Sequence, residues 1–159
     1  MFRFALPSDI QALKSIYQKS VTELAPSLYT KEQVIAWSSF PDDTVKFTQF
    51  ILKPDTYILE NNQEIVGFCG LEKNGHIASL YIHPAHTRQG YGTNLLNYAL
   101  NRGIQENISR FYSEASFFSQ PLFKRCGFKV LEMETVKYGV VSFERYKMEK
   151  RITRKKNEQ

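Results

Sequence analysis

The chain has 159 residues, 42% of them hydrophobic and 14% aromatic, enough for one domain that buries about two thirds of its unfolded surface. Its formal net charge of +5 is uneven, because Lys147, Lys150, Arg151, Arg154, Lys155 and Lys156 face only Glu149 and Glu158 in the last stretch and leave the remainder nearly neutral. No apolar run approaches the ~20 residues of a membrane span, the start MFRFALPSDI lacks a basic-then-apolar leader, and Cys69 and Cys126 form no Cys-x-x-Cys pair; these features argue against a membrane protein, a secreted disulfide scaffold and a zinc finger, and for a cytoplasmic location.

Phe2 to Leu6 reads as a first strand. Ser8-x-x-Gln11 then reads as a capping box that opens a helix with Ile10, Leu13, Ile16, Tyr17 and Val21 on one face. Thr30-x-x-Gln33 is a second capping box ahead of Val34 to Trp37, and Asp42 or Asp43 can cap a further helix carrying Val45, Phe47, Phe50 and Ile51. Thr56 to Glu60, the Asn61-Asn62 turn and Glu64 to Leu71 have hairpin chemistry, and Asn74-Gly75 marks a second hairpin into His76 to His83. Leu95, Leu96, Ala99, Leu100 and Ile104 give the following helix an apolar face. A strand at Arg110 to Ser116, a short helix around Pro121 to Arg125, and strands at Lys129 to Val136 and Val140 to Met148, joined at Lys137-Tyr138-Gly139, complete the reading.

Between the Tyr81 strand and the Leu95 helix lies Thr87-Arg88-Gln89-Gly90-Tyr91-Gly92-Thr93. Glycines here let successive backbone N–H groups converge on one oxyanion cluster, and the positive end of the helix dipole adds to the attraction. No Gly-Lys-Ser/Thr follows Gly92, which excludes a Walker loop, and the turn sits mid-chain after antiparallel hairpins rather than in a first βαβ unit.

The stretch Ser79 to Leu96 resembles the central motif of the GNAT superfamily of acetyl-CoA-dependent N-acetyltransferases, with Thr87 where that family usually has Gln or Arg. The order β-α-α-β-β-β-α-β-α-β-β resembles the GNAT fold, an α/β mixed sheet, largely antiparallel with one splayed parallel strand pair and flanking helices. Tyr29 to Trp37, Tyr81-Ile-His-Pro84, Glu114-Ala-Ser116, Phe123-x-x-x-Gly127-Phe128 and Met148-Glu-Lys150 are similar to the YafP-like bacterial branch. The resemblance covers residues 1 to about 152, leaving 153 to 159 as a basic tail.

The resemblance implies that acyl-pantetheine enters the splay as a pseudo-strand. Backbone groups of Leu80, Tyr81 and Ile82 would meet the arm, while Thr87, Arg88, Gln89, Gly90, Tyr91, Gly92 and Thr93 would cradle the pyrophosphate. Ser116 and Ser119 would lie against pantetheine or phosphate. Phe123 occupies the position where many family members carry a Tyr that protonates the departing thiolate.

Attack of an amine on a thioester requires a proton acceptor, an oxyanion donor and release of a thiolate. The oxyanion donor is expected at the backbone N–H of Tyr81 or Ile82, and Tyr81 is also a candidate thiolate donor. Glu114, Glu72 and His76 are the candidate bases, each equally readable as a solvated or ion-paired surface residue. His83-Pro-Ala-His86 lacks helical spacing and a third ligand, so these read as turn-surface histidines and no metal is expected. Trp37, Phe40 and Phe47 read as core ahead of substrate pocket.

The expected function is transfer of an acetyl group from acetyl-CoA to a primary amine of a small molecule or peptide. The alternative class is a non-catalytic acyl-CoA-binding or sensing module. Acetyl-CoA and an amine acceptor are the expected partners, a homodimer remains open, and the basic tail without a reader motif does not call for nucleic acid.

Overall fold

A computed structural model describes residues 1–153. From residue 154 onward the basic tail lies outside the described residues. The chain runs β1 (Phe2–Phe4), α1 (Ile10–Leu24), α2 (Lys31–Ser38), α3 (Thr44–Leu52), β2 (Asp55–Asn61), β3 (Glu64–Leu71), β4 (Ile77–Ile82), α4 (Tyr91–Gln105), β5 (Arg110–Ala115), α5 (Gln120–Arg125), β6 (Lys129–Tyr138) and β7 (Val141–Arg151). Three helices therefore separate β1 from β2, where the order read from the sequence had two. The third is the helix read behind Asp42 or Asp43, in which the Asp43 carboxylate accepts from the Lys46 N–H at 3.0 Å.

Most local signals act as their chemistry requires. Thr30 and Gln33 exchange both bonds of a capping box, at 3.2 and 2.9 Å, and start α2. The β2–β3 hairpin closes one residue later than the Asn61-Asn62 reading, at Asn62-Gln63 with φ +52° and +66°, because Asn61 still pairs with Glu64. The Ser8-x-x-Gln11 box does not form. Asp9 instead accepts from the Leu6 N–H at 2.7 Å and from both arms of the Arg3 guanidinium, at 2.8 and 2.9 Å. That charged fork outcompetes a serine hydroxyl, stops β1 at Phe4 and shifts the start of α1 to Ile10.

The strands form two antiparallel sheets, β1-β2-β3-β4 and β5-β7-β6. On one face of the first sheet, Ile58 and Phe68 pack with Leu13, Ile16, Tyr17, Phe47 and Ile51 of α1 and α3. On the other, Tyr57, Leu59, Val66 and Leu71 pack with Leu95, Leu96, Ala99 and Leu100 of α4 and with Phe111 of β5.

The two sheets touch where β4 and β5 begin. His76 and Tyr112 form a single parallel bridge, the Tyr112 N–H donates to Gly75 O at 3.1 Å, and Ser113 Oγ donates to Ile77 O at 2.8 Å. Beyond that apex no ladder joins the strands. A register shift sets Gly70 opposite Ser79 but Leu71 opposite Ile77, so Ala78 is an extra residue that bends β4 away from β5. The result is a V-shaped gap in the middle of the molecule.

Candidate active site

At the open end of the V, β4 runs through a short turn into α4. Arg88 at φ +62° and Gly90 at φ +82° reverse the chain, and no side chain caps the helix. The N–H groups of six consecutive residues, Arg88 to Thr93, donate to nothing among the described residues; the next N–H, of Asn94, donates to Gly90 O at 3.0 Å. A row of free amides ahead of a 15-residue helix is a site built for an anion.

The glycines of this turn have different reasons to be there. At Gly90 a Cβ would meet no atom within 4 Å, so its backbone angle is what demands glycine. At Gly92 a Cβ would sit 2.5 Å from Leu122 Cδ1, so its absence lets α4 pack against α5.

Inside the V lies a cavity of about 460 Å³. Leu80, Tyr81, Ser116, Ser119 and Phe123 line it, whereas Thr87 to Thr93 form the turn beyond its wall. The His83 N–H donates to Val66 O at 2.7 Å, and Tyr81 pairs with Phe68 and Ser79 with Gly70. Antiparallel pairing alternates, so Tyr81 directs its N–H to β3, while Leu80 and Ile82 direct theirs into the V. Of the two expected oxyanion donors, only Ile82 faces the gap, joined there by Leu80. Ser116 and Ser119 bond reciprocally, with Ser119 Oγ accepting from the Ser116 N–H at 2.9 Å and Ser116 Oγ accepting from the Ser119 N–H at 3.1 Å. Phe123 is buried, its ring edge-on to Phe128.

The three residues read separately as bases stand in one chain at the apex. His76 Nδ1 lies 2.8 Å from Glu72 Oε1, and His76 Nε2 lies 3.1 and 3.0 Å from the two oxygens of Glu114. Burial alone would lower the His76 pKa, but the hydrogen bonds to Glu114 and Glu72 outweigh it and hold the imidazole above its ordinary value. The His76 hydrogen bond in turn holds Glu114 below the usual carboxylate range, against the effect of burial. Glu114 and His76 line the cavity; Glu72 does not, and its side chain is 40% exposed on the far side of the imidazole.

The remaining wall is aromatic. Tyr17, Trp37 and Phe50 reach it from α1, α2 and α3, Phe40 from the link between α2 and α3, and Phe118 and Phe143 from the opposite side. Trp37 and Phe40 thus belong to core and cavity wall together, while Phe47 is wholly core. Trp37 Nε1 donates to Tyr81 Oη at 3.2 Å. Burial pushes the Tyr81 phenol up to about 12, so it stays protonated near neutrality. Tyr29, Ser79 and Arg145 also line the cavity and were not read as site residues. Tyr29 carries a signal in lying beside the Thr30 capping box and in opening the Tyr29 to Trp37 stretch. His83 and His86 stay on the surface turn, where His83 Nδ1 accepts from the Ala85 N–H at 3.1 Å and His86 faces Glu64 at 3.5 Å.

Residues 26–151 match the family model described as the acetyltransferase (GNAT) domain. The chain belongs to the GNAT acetyltransferases. It is 27% identical over 130 residues to the uncharacterized N-acetyltransferase YafP of Escherichia coli K12, covering 82% of this chain and 81% of that protein. A GCN5-related N-acetyltransferase structure from Rhodopseudomonas palustris superposes with a TM-score of 0.92 at 26% identity, covering 96% and 95% of the two chains. The PaiA N-acetyltransferase of Thermoplasma acidophilum, solved with coenzyme A, shares the fold with a TM-score of 0.77 at 18% identity over 96% and 98%. This GNAT chain is therefore an acyltransferase, and among its described residues no helix is long and apolar enough to cross a membrane.

Proposed function

We propose that the protein transfers an acetyl group from acetyl-CoA directly to a primary amine. The observation that carries this reading is the row of free amides from Arg88 to Thr93 at the mouth of the β4–β5 gap. Those amides and the Arg88 guanidinium bind the pyrophosphate. Leu80 and Ile82 pair their outward backbone groups with the pantetheine arm, which replaces the missing strand partner, and Ser116, Ser119 and Phe123 flank it.

The amine nitrogen attacks the thioester carbonyl carbon, and the carbonyl electron pair moves onto oxygen, held by the Leu80 or Ile82 N–H. The proton lost by nitrogen passes to Glu114, then to His76 Nε2 as the imidazole releases its Nδ1 proton towards Glu72 and solvent. Collapse of the tetrahedral intermediate breaks the C–S bond and frees the CoA thiolate. The fully protonated imidazole cannot take a further proton, so the relay runs on the neutral imidazole that carries its one hydrogen on Nδ1 and leaves Nε2 open to accept from Glu114.

The test is CoA thiol release from acetyl-CoA on addition of a primary amine, run for the natural chain and for Glu114→Gln. Removing the first proton acceptor should lower kcat by about 10²–10⁴-fold while leaving acetyl-CoA affinity unchanged. Wild-type kcat in Glu114→Gln would remove the relay, and failure to bind acetyl-CoA would remove the whole reading.

A further inference from the structure

We propose that the acceptor is a small primary amine with a flat apolar body, an arylalkylamine, rather than a peptide or a polyhydroxylated or polycationic amine. This rests on the acetyltransferase reading above and narrows its second substrate. Its first support is the wall. Beyond the Glu114–His76 pair, Tyr17, Trp37, Phe40, Phe50, Phe118 and Phe143 present ring faces and edges to the cavity. Trp37 stacks on Phe118 with centroids 5.5 Å apart, and Phe40 lies edge-on to Phe50 at 5.3 Å. A further ring extends these stacks, and an ammonium approaching Glu114 passes over aromatic faces that favour a cation.

The second support is how little polar chemistry is left over. His76 and Glu114 satisfy one another, Arg145 Nε donates to Glu134 at 2.6 Å, and Glu144 is exposed. The exception is Ser79, whose Oγ is buried without a hydrogen-bond partner among the described residues, on the same face of β4 as Tyr81. The inner part of the site thus offers the Glu114 carboxylate to an ammonium, while the Glu144 carboxylate lies at its exposed edge and Ser79 Oγ is sealed off from it. A further hydroxyl or ammonium carried in among the rings of Trp37, Phe40, Phe50 and Phe118 would be desolvated there.

The third support is the closure of one side. Gln33 Nε2 at the start of α2 donates to Ser142 O of β7 at 2.9 Å, and Tyr29 and Trp37 both pack on Phe143. A peptide lying extended between α2 and the β6–β7 hairpin would have to break this tie.

The experiment uses the full chain at saturating acetyl-CoA and compares kcat/KM for 2-phenylethylamine, tryptamine, spermidine, kanamycin and a hexapeptide with a free N-terminal alanine. The two aryl amines should exceed the other three by roughly a hundredfold or more. Trp37→Leu and Phe40→Leu, checked for retained fold by circular dichroism, should each raise KM for 2-phenylethylamine about tenfold and leave KM for acetyl-CoA unaltered. Preferential turnover of spermidine, kanamycin or the hexapeptide overturns the acceptor class while leaving the acetyltransferase reading intact. No turnover of either aryl amine by a protein that binds acetyl-CoA in calorimetry also overturns it. Absence of acetyl-CoA binding removes both readings together.

Discussion

The apex of the V rests on Gly75, and Gly75→Ala is the sharpest test of it. This residue sits at φ +95°, where an L side chain is disfavoured by about 1–2 kcal/mol. An added Cβ would lie 2.0 Å from Arg110 O, a backbone atom of β5 that no side-chain rotation can move aside. Relieving the overlap pushes β5 away, at about 1–3 kcal/mol for overpacking, and lengthens the Tyr112 N–H bond to Gly75 O, a further loss of about 1 kcal/mol. The whole is about 3–6 kcal/mol, which for a chain of this size lowers Tm by roughly 6–24 °C. Gly90→Ala is the matched control, since at φ +82° it carries the backbone penalty but meets nothing within 4 Å, and should lose only about 2–8 °C. Calorimetric melts of both variants decide the matter. Equal losses in the two, or a loss under about 3 °C in Gly75→Ala, would refute the close approach of β4 and β5 on which the cavity depends.

Arg88→Glu should weaken CoA binding about five- to tenfold and flatten its dependence on salt, because an exposed charge facing phosphate is reversed; calorimetric titration at low and high salt reads both. Phe123→Tyr should leave CoA affinity unchanged and raise kcat by at most roughly thirtyfold, since protonating a thiol of pKa ~8.5 at pH 7 is worth about 2 kcal/mol. A thousandfold gain in steady-state rate would mean that the natural chain lacks any effective route for thiolate departure. The relay makes kcat/KM rise with pH through a His76 pKa above its ordinary ~6.5, a limb that His76→Gln should abolish in a pH–rate profile. The same groups set a stability window. The contribution of His76 is full below the ordinary histidine range and is lost as pH rises through its raised value, whereas that of Glu114 is present above the ordinary carboxylate range and lost as pH falls through its lowered value. The difference in Tm between the natural chain and His76→Gln should therefore shrink on the alkaline side, and a constant difference from pH 6 to 9 would contradict the assignment.

Local chemistry was legible in the sequence wherever one residue decides the outcome. Thr30 with Gln33, Asp43 before α3 and the glycine turn each satisfy backbone groups within a few positions of themselves, so their spacing is enough. Ser8 misled because Arg3 lies outside the window in which a capping box is read, yet its fork on Asp9 decides that helix start. The Glu72–His76–Glu114 chain was legible in its members and illegible in its unity. His76 and Glu114 are 38 residues apart and meet only because β4 and β5 touch at their first residues. The bulge at Ala78 fixes which amides enter the gap, and Gly70 opposite it is one of two glycines in β3, so the sequence does not single it out. Helical spacing could not separate core from wall at Trp37 and Phe40, since each serves as both.

That shared duty has an evolutionary consequence. The cluster that holds α1, α2 and α3 on the sheet includes Tyr17, Trp37, Phe40, Phe50 and Tyr81, each of which also lines the cavity, whereas α4 rests on a separate cluster behind the turn. A mutation that reshapes the acceptor side also loosens the helices that make it, so descendants with new acceptors would arise by wholesale rebuilding of the N-terminal helices. The cluster under α4 carries less of that burden, because of its described members only Ile77, Leu80 and Phe123 also line the cavity.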